Sequence, residues 1–240
     1  MSSRWKFFLV TVGALLSFSA TFALGQWQLS RAAQKLAWLA AIESKAALPP
    51  TDQLSLSQLS EGGPELNRRV RLRGQWLADA TVYLDNRQMN SRQGMVVLTP
   101  MKLDGSGAVV VVQRGWVARN FINRKDLAAL STPAGPVEIQ GRIVAPPSRS
   151  FSFPGPDSGR IRQNLDLAAF SVELGLPLLP VSVQQSSGEA DGLARDWPVF
   201  EAGADMHYGY AFQWFGLSAL VATLFIWFQI VRRFILPRHA

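Results

Sequence analysis

The sequence predicts a membrane protein: two transmembrane helices flank a mainly-β (α+β) extracytoplasmic domain whose antiparallel sheet is curled or closed. Three observations predict this. Residues 7–24 form a run of 18 without a charge, Asn or Gln, and residues 206–231 a run of 26 without Asp, Glu, Lys or Arg. Between the two runs the hydrophobic period changes from helical to alternating. Only 17% of the chain is charged, against roughly 25% in an ordinary soluble domain.

A helix rises about 1.5 Å per residue, so roughly 20 apolar residues cross a hydrocarbon core of about 30 Å. The second run meets that length. The first has a competing reading as a signal peptide, because Arg4 and Lys6 precede it and Thr21-Phe22-Ala23 resembles a cleavage site. A signal core is usually about 7–15 residues, and helical sequence continues past this one, which favours an uncleaved anchor. Small residues recur at four-residue spacing, Gly13, Ser17 and Thr21 on the first helix and Ser218 and Ala222 on the second. Such spacing suits close helix packing in lipid, and small residues are also simply common in membrane helices.

The charge sets the orientation. The formal charge is +7 and the sequence pI about 10.4. Alone, these suggest a phosphate-bearing partner. Five of the 24 basic residues, however, are Arg4, Lys6, Arg232, Arg233 and Arg238, at the ends of the chain, which leaves 19 basic against 17 acidic residues elsewhere. The balance is therefore a topology signal, with both termini cytoplasmic, and it implies no nucleic-acid partner. No Arg- and Ser-rich transit segment precedes the first run, which favours a bacterial inner membrane, with membrane lipid as surroundings. The chain divides into a cytoplasmic tail (1–6), a first transmembrane helix (7–26), an amphipathic helix extending from the membrane (27–50), a mainly-β periplasmic domain (51–205), a boundary and second transmembrane helix (206–231), and a cytoplasmic tail (232–240).

Each element has its own warrant. In 27–50 a stripe of Leu29, Ala32, Leu36 and Leu39 follows helical spacing until Pro49-Pro50 stops it. Trp27 stands where an interfacial aromatic would. Residues 69–77 alternate, with Val70, Leu72 and Trp76 on one face. Strands follow at 81–86, 94–103 and 108–117, the last two joined as a hairpin by Gly105-Ser106-Gly107. The run Val109-Val110-Val111-Val112 is suited to burial on both faces. A short helix or turn is expected at 123–130, a strand at 136–144 and a Pro-rich loop at 146–160. A helix is expected from Asp166 as N-cap to Gly175 as stop. A strand at 178–184 and a polar return at 186–197 complete the domain. Six or so short strands at this spacing suggest a mainly antiparallel sheet.

The residue inventory narrows the chemistry. There is no Cys, which excludes disulfides, thiolate metal sites, iron–sulfur clusters and a Cys nucleophile. His207 and His239 are the only histidines, and no Gly loop precedes a helix in the phosphate-cradling pattern. Asp79, Asp85 and Asp104 could meet as hydrolytic carboxylates, but scattered carboxylates are more often solvated surface. The tails are too short for a signalling output domain. The sharpest feature is D-M-H-Y-G-Y-A-F-Q-W-F-G, where His207, Tyr210, Ala211 and Trp214 fall at i, i+3, i+4 and i+7. A neutral imidazole offers a lone pair, and an imidazole beside a flat aromatic wall suits axial ligation of haem iron. The other reading is an interfacial aromatic belt with a histidine among lipid headgroups. Gln213 stands equally between a partner, a cofactor and plain interfacial hydration.

Taken together, the motifs resemble the Surfeit-locus family (Surf-one-like) of cytochrome c oxidase assembly proteins, bacterial type. The pieces appear in order: G-Q-W-Q-L-x-R-x-x-x-K (25–35), R-L-R-G-Q-W (71–76), L-D-N-R (84–87) followed by Gly94, Thr99 and Pro100, R-G-W-V (114–117), Gly141-Arg142, and H-x-x-Y-A-x-Q-W (207–214). Asp205-Met206 departs from the Asn expected before the His. The resemblance implies a membrane-bound assembly factor for haem–copper cytochrome c oxidase, not an enzyme. Such a factor would bind haem a as cargo and assist its insertion into the large oxidase subunit, with haem a synthase as a further partner. It carries the family's haem ligand onto His207 as axial ligand of the iron, with Tyr210, Gln213 and Trp214 beside it. Propionate partners would be Arg31, Arg114 or Arg195, and Met206, water or the partner would supply a sixth ligand. Two other functions remain in view: a scaffold that stabilises the oxidase subunit without binding haem, and an unrelated membrane-anchored periplasmic hydrolase or solute-binding domain.

Overall fold

The fold is described from a computed structural model of the chain, for residues 3–56, 63, 65–120, 127, 130–147, 159–188, 191–197 and 203–235. In chain order the elements are α1 (Ser3–Ala47), α2 (Gln53–Leu56), β1 (Arg69–Trp76), β2 (Val82–Met89), β3 (Arg92–Leu103), β4 (Val109–Ala118), β5 (Val137–Val144), β6 (Ile161–Arg162), α3 (Leu167–Leu174), β7 (Leu178–Gln185) and α4 (Ala204–Phe225), the last continuing as a π-helical stretch, Ile226–Ile235. The chain forms two compact units, one of Met1–Ala41 with Phe200–Ala240, the other of Ile42–Val199. Most of the helix or turn expected at 123–130 and of the loop expected at 146–160 lies outside the described residues.

The second unit is built on a closed ring of five strands. The order β1-β5-β7-β4-β3 is completed by pairing of β1 with β3, while β2 and β6 extend the sheet beyond β3. Closure depends on β3 being long enough to serve two neighbours on one edge. Its first half pairs with β2, and Met101, Lys102 and Leu103 pair with Trp76, Gln75 and Gly74 of β1. Backbone bonds from Leu77 N to Pro100 O and from Asp104 N to Arg73 O, each 2.9 Å, bracket that seam. The expected antiparallel sheet holds except at β4–β7 and β2–β6, which are parallel. The chain returns to β4's free edge only after β5, β6 and α3, and so long a crossover permits a parallel pair.

Alternation fixes which side chains fill the barrel. Val70 and Leu72 of β1 point inward with Met101, Leu103, Val110, Val112, Ile139, Ile143, Val181 and Val183, and Leu56 of α2 caps them. Val111 faces the other way and joins Leu84, Leu98, Leu167 and Phe170 under α3. The four-valine run is therefore buried on both faces, as its composition implies. α3 begins where Asp166 Oδ1 accepts the amides of Ala168 and Ala169 at 3.0 Å, and ends at Gly175 in the left-handed region. Two features differ from expectation. The strand expected at 81–86 runs on to Met89 and turns directly into β3 through Asn90 and Ser91, both at positive φ. The turn chemistry is that of a primed hairpin, in which Asn-Ser stands where Gly would be the recognisable signal. β6 has two residues, too few for a periodic pattern.

The first unit is a pair of helices, both long and apolar enough to cross a membrane. Within them Thr11 and Thr21 return their hydroxyls to the carbonyls of Phe7 and Ser17, four residues back. Such bonding satisfies a hydroxyl without a partner from outside the helix. The seam between α1 and α4 uses Thr21, whose Oγ1 lies 2.7 Å from Ser218 Oγ. Gly13, by contrast, faces open space and Ser17 is exposed, so on α1 the small-residue repeat marks the seam only at Thr21, while on α4 Ser218 is buried in it. The expected stripe of 27–50 is also rotated. Ala32 is fully buried but Leu36 is exposed, because the inward positions are 21, 25, 28, 32, 35 and 39, at alternating four- and three-residue steps. That is the period of a two-helix seam, not of a helix lying on a sheet.

Candidate functional site

Gly203, in the left-handed region at φ 55°, opens α4, so residue 207 is already helical. Ala204, His207, Ala211, Trp214 and Ser218 then follow at three- and four-residue steps and share the face toward α1; Ala204, Ala211 and Ser218 are buried and His207 and Trp214 partly so. The register is fixed by contacts on either side. Phe22 and Phe215 meet edge-on with ring centroids 5.4 Å apart, and the Phe215 ring lies against Gly25, where a β-carbon would come within 2.7 Å of it. One turn further along, His207 Nδ1 lies 2.6 Å from Oε1 of Gln28. Beyond that, Lys35 brings its Nζ near Gly203, at 3.5 Å from where a β-carbon would stand.

The structure brings together only part of the predicted set. His207 and Trp214 lie on the seam face, seven residues apart. Tyr210 is on its flank, 50% exposed. Gln213 is exposed and off the stripe, and Met206 is exposed beside His207. Gln28 was not identified from sequence as a site residue, although it stands in the G-Q-W-Q motif. The signal for it is a polar side chain on the seam positions of α1, between Gly25 and Ala32. Such a residue needs a partner, and the antiparallel register makes that partner His207.

Of the candidate propionate partners, only Arg31 belongs to the unit that holds His207; it is exposed, with Nη1 donating to Gln34 Oε1 at 3.0 Å. Arg114 and Arg195 are engaged within the other unit. Arg114 donates to Thr132 Oγ1 and to the Ser131 carbonyl, stacks 4.9 Å above the Trp76 ring and lies 3.7 Å from Asp191. Burial lowers its pKa, while Asp191 holds it up. Arg195 bonds the same Asp191 carboxylate and the Gly188 carbonyl. Asp79, Asp85 and Asp104 have separate surroundings. Asp85 is fully buried, accepting from the Asn86 amide, Asp104 pairs with Arg73, and Asp79 lies in the 3-10 turn after β1. Among the described residues, no three His, Asp or Glu side chains cluster as a metal cage.

Trp116, Gly94 and Gly141 of the other motifs have packing contacts. Trp116 donates its Nε1–H to the Arg87 carbonyl at 2.8 Å and covers Gly94, whose missing β-carbon would stand 2.2 Å from the indole. Gly141 similarly lies under the Gln184 carbonyl.

The model of the SURF1 family matches residues 15–219, a range that holds the barrel and the greater part of both helices. A SURF1-like protein of Rickettsia bellii is 30% identical over 220 residues, covering 88% of this chain and 87% of the relative. Surfeit locus protein 1 of Xenopus tropicalis is 25% identical over 248 residues, covering 93% and 74%. A yeast relative, the cytochrome oxidase assembly protein SHY1 of Saccharomyces cerevisiae, is 29% identical over 136 residues, covering 55% of this chain and 35% of its own length.

Proposed function

The chain belongs to the SURF1 family, and from that premise we propose that it is an assembly factor for haem–copper cytochrome c oxidase that binds haem a and assists its insertion into the large oxidase subunit. It works without turnover of its own, as a carrier anchored in a bacterial inner membrane by α1 and α4, with both termini cytoplasmic and the barrel in the periplasm. The observation that carries the reading is the placement of His207: a histidine on the seam face of an apolar helix, with one ring nitrogen engaged by Gln28, Tyr210 about one turn further along and Trp214 about two turns further along.

The donor set suits a haem. His207 would be the axial ligand of the iron, and Tyr210 and Trp214 would offer flat apolar surface to the ring. Haem carries anionic propionates, and Arg31 and Lys35 are the cations of this unit on the stretch of α1 that faces and flanks the start of α4. One protein ligand gives weaker hold than two, which suits cargo that must leave. Haem a synthase would supply the group and the large oxidase subunit would receive it. Gln213, exposed and off the seam, would meet these partners or lipid headgroups.

The test is an absorption spectrum of the protein purified from cells that make haem a. A Soret band is expected, and it should weaken or shift in His207→Ala. An unchanged band in that variant removes His207 as ligand. Co-purification of the oxidase subunit without pigment would instead support a scaffold.

A further inference from the structure

The contact between His207 and Gln28 determines more than helix packing. With the Gln28 amide turned so that Oε1 faces the ring, the 2.6 Å contact is an Nδ1–H···O bond and the hydrogen sits on Nδ1 of His207. A neutral imidazole protonated at Nδ1 keeps its lone pair on Nε2. We propose that Gln28 is the positioning residue of this site: it holds His207 in the Nδ1–H tautomer and so makes Nε2 the nitrogen that ligates haem iron. This rests on the haem reading above.

The physical reason is that a ligating imidazole has a second nitrogen to account for. An acceptor on that nitrogen fixes the tautomer, restrains ring rotation and raises the basicity of the ligating nitrogen. Gln28 can do this because α1 and α4 are in fixed register, with Gly25 against Phe215 on one side and Lys35 against Gly203 on the other. The amide is neutral, so it orients the ring without the full electron donation of a carboxylate partner. That is a moderate ligand, which suits delivery better than permanent retention.

A polar pair in a helix seam could serve packing alone, and the seam holds its own control. Thr21 and Ser218 also bond across it, at 2.7 Å, far along the helix from the histidine. The experiment titrates the full-length protein in detergent with ferric protohaem and measures affinity and midpoint potential, in wild type, Gln28→Leu, Gln28→Glu, Thr21→Val and His207→Ala. Nitrogen NMR of haem-free protein labelled at histidine reads the tautomer directly.

The expected result is the Nδ1–H tautomer for His207 in wild type and a mixture of tautomers in Gln28→Leu. Haem affinity should fall about 10- to 100-fold in Gln28→Leu, the range for loss of an outer-shell partner. Gln28→Glu should keep affinity and move the midpoint potential negative, and Thr21→Val should change neither. An Nε2–H tautomer in wild type overturns the proposal, because the Gln28 amide would then be donating to Nδ1. So does an equal affinity loss in Gln28→Leu and Thr21→Val, or no loss in Gln28→Leu. Failure of the underlying reading looks different: wild type takes up no haem, or His207→Ala binds it unchanged, whatever the tautomer.

Discussion

Arg114 is a motif residue strongly marked in sequence that is engaged within the barrel unit. Its side chain is 3% exposed, and the guanidinium is surrounded by Asp191, Thr132, the Ser131 carbonyl and the Trp76 face. Together these tie β4 to the segment after β7, where Trp116 and Ala194 exchange backbone bonds. Asp191 serves two cations, Arg114 and Arg195, both largely buried. Removing one partner of a buried pair costs about 3–5 kcal/mol, mainly because the other charge is left without compensation. Arg114→Ala leaves Asp191 with Arg195 and should fall at or below the lower end. Asp191→Ala leaves two buried guanidiniums facing each other and should cost more. Urea unfolding of the two variants checks the order, and the reverse order would remove Asp191 as the hub.

At the scale of elements, the barrel closes over three residue pairs between β1 and β3, and Gly74 is the one of them that also pairs with β5. Gly74 pairs with Val137 of β5 on one side and with Leu103 of β3 on the other, and a β-carbon there would stand 2.2 Å from the Lys102 carbonyl oxygen. Gly74→Val should therefore part β1 from β3 and destabilise the unit by about 1–3 kcal/mol, the usual cost of overpacking. Hydrogen exchange should then speed up at the amides of Leu77 and Asp104, which bracket the seam, while β5–β7 stays protected; uniform loss across the sheet would instead mean that closure is not a separate event. The glycine appears in R-L-R-G-Q-W, yet sequence alone marks only a strand, because closure is a relation between segments about thirty residues apart. The six strands, the caps of α3 and both long helices were legible for the opposite reason: each is set by local period or by a capping side chain. The β2–β3 turn was not, since Asn90-Ser91 lacks the glycine that advertises positive φ. At the site, the spacing of His207 and Trp214 on one helical face was visible, while Tyr210, expected with them, stands on its flank. Gln28 was not visible, because its meaning depends on a partner 179 residues away.

For the whole molecule, the division of labour between units follows from where the apolar groups lie. All three apolar clusters of the barrel unit, around Val112, Val111 and Val97, are composed of residues between 56 and 193. The exposed large apolar residues fall mostly on α1 and α4, the two helices long enough to cross a membrane. The charge follows the same division, since five of the 24 basic residues sit at the ends of the chain. A fragment of residues 42–199 thus retains its own core and loses most of the surface that calls for lipid. We expect it to fold in water and to unfold in a single transition, with a stability of about 5–15 kcal/mol, as usual for one domain. Three of the eight tryptophans, Trp76, Trp116 and Trp197, remain in it, and the indoles of the latter two donate to the Arg87 and Gln185 carbonyls. Their fixed surroundings should give a structured near-ultraviolet dichroism band that disappears in the same transition as the far-ultraviolet signal. The fragment lacks both His207 and Gln28, so protohaem added to it should produce none of the ligated spectrum of the full chain. A fragment without a near-ultraviolet band would show that the barrel needs the helices to pack. One that folds and still binds haem through the same spectrum would move the site from the helical seam into the barrel.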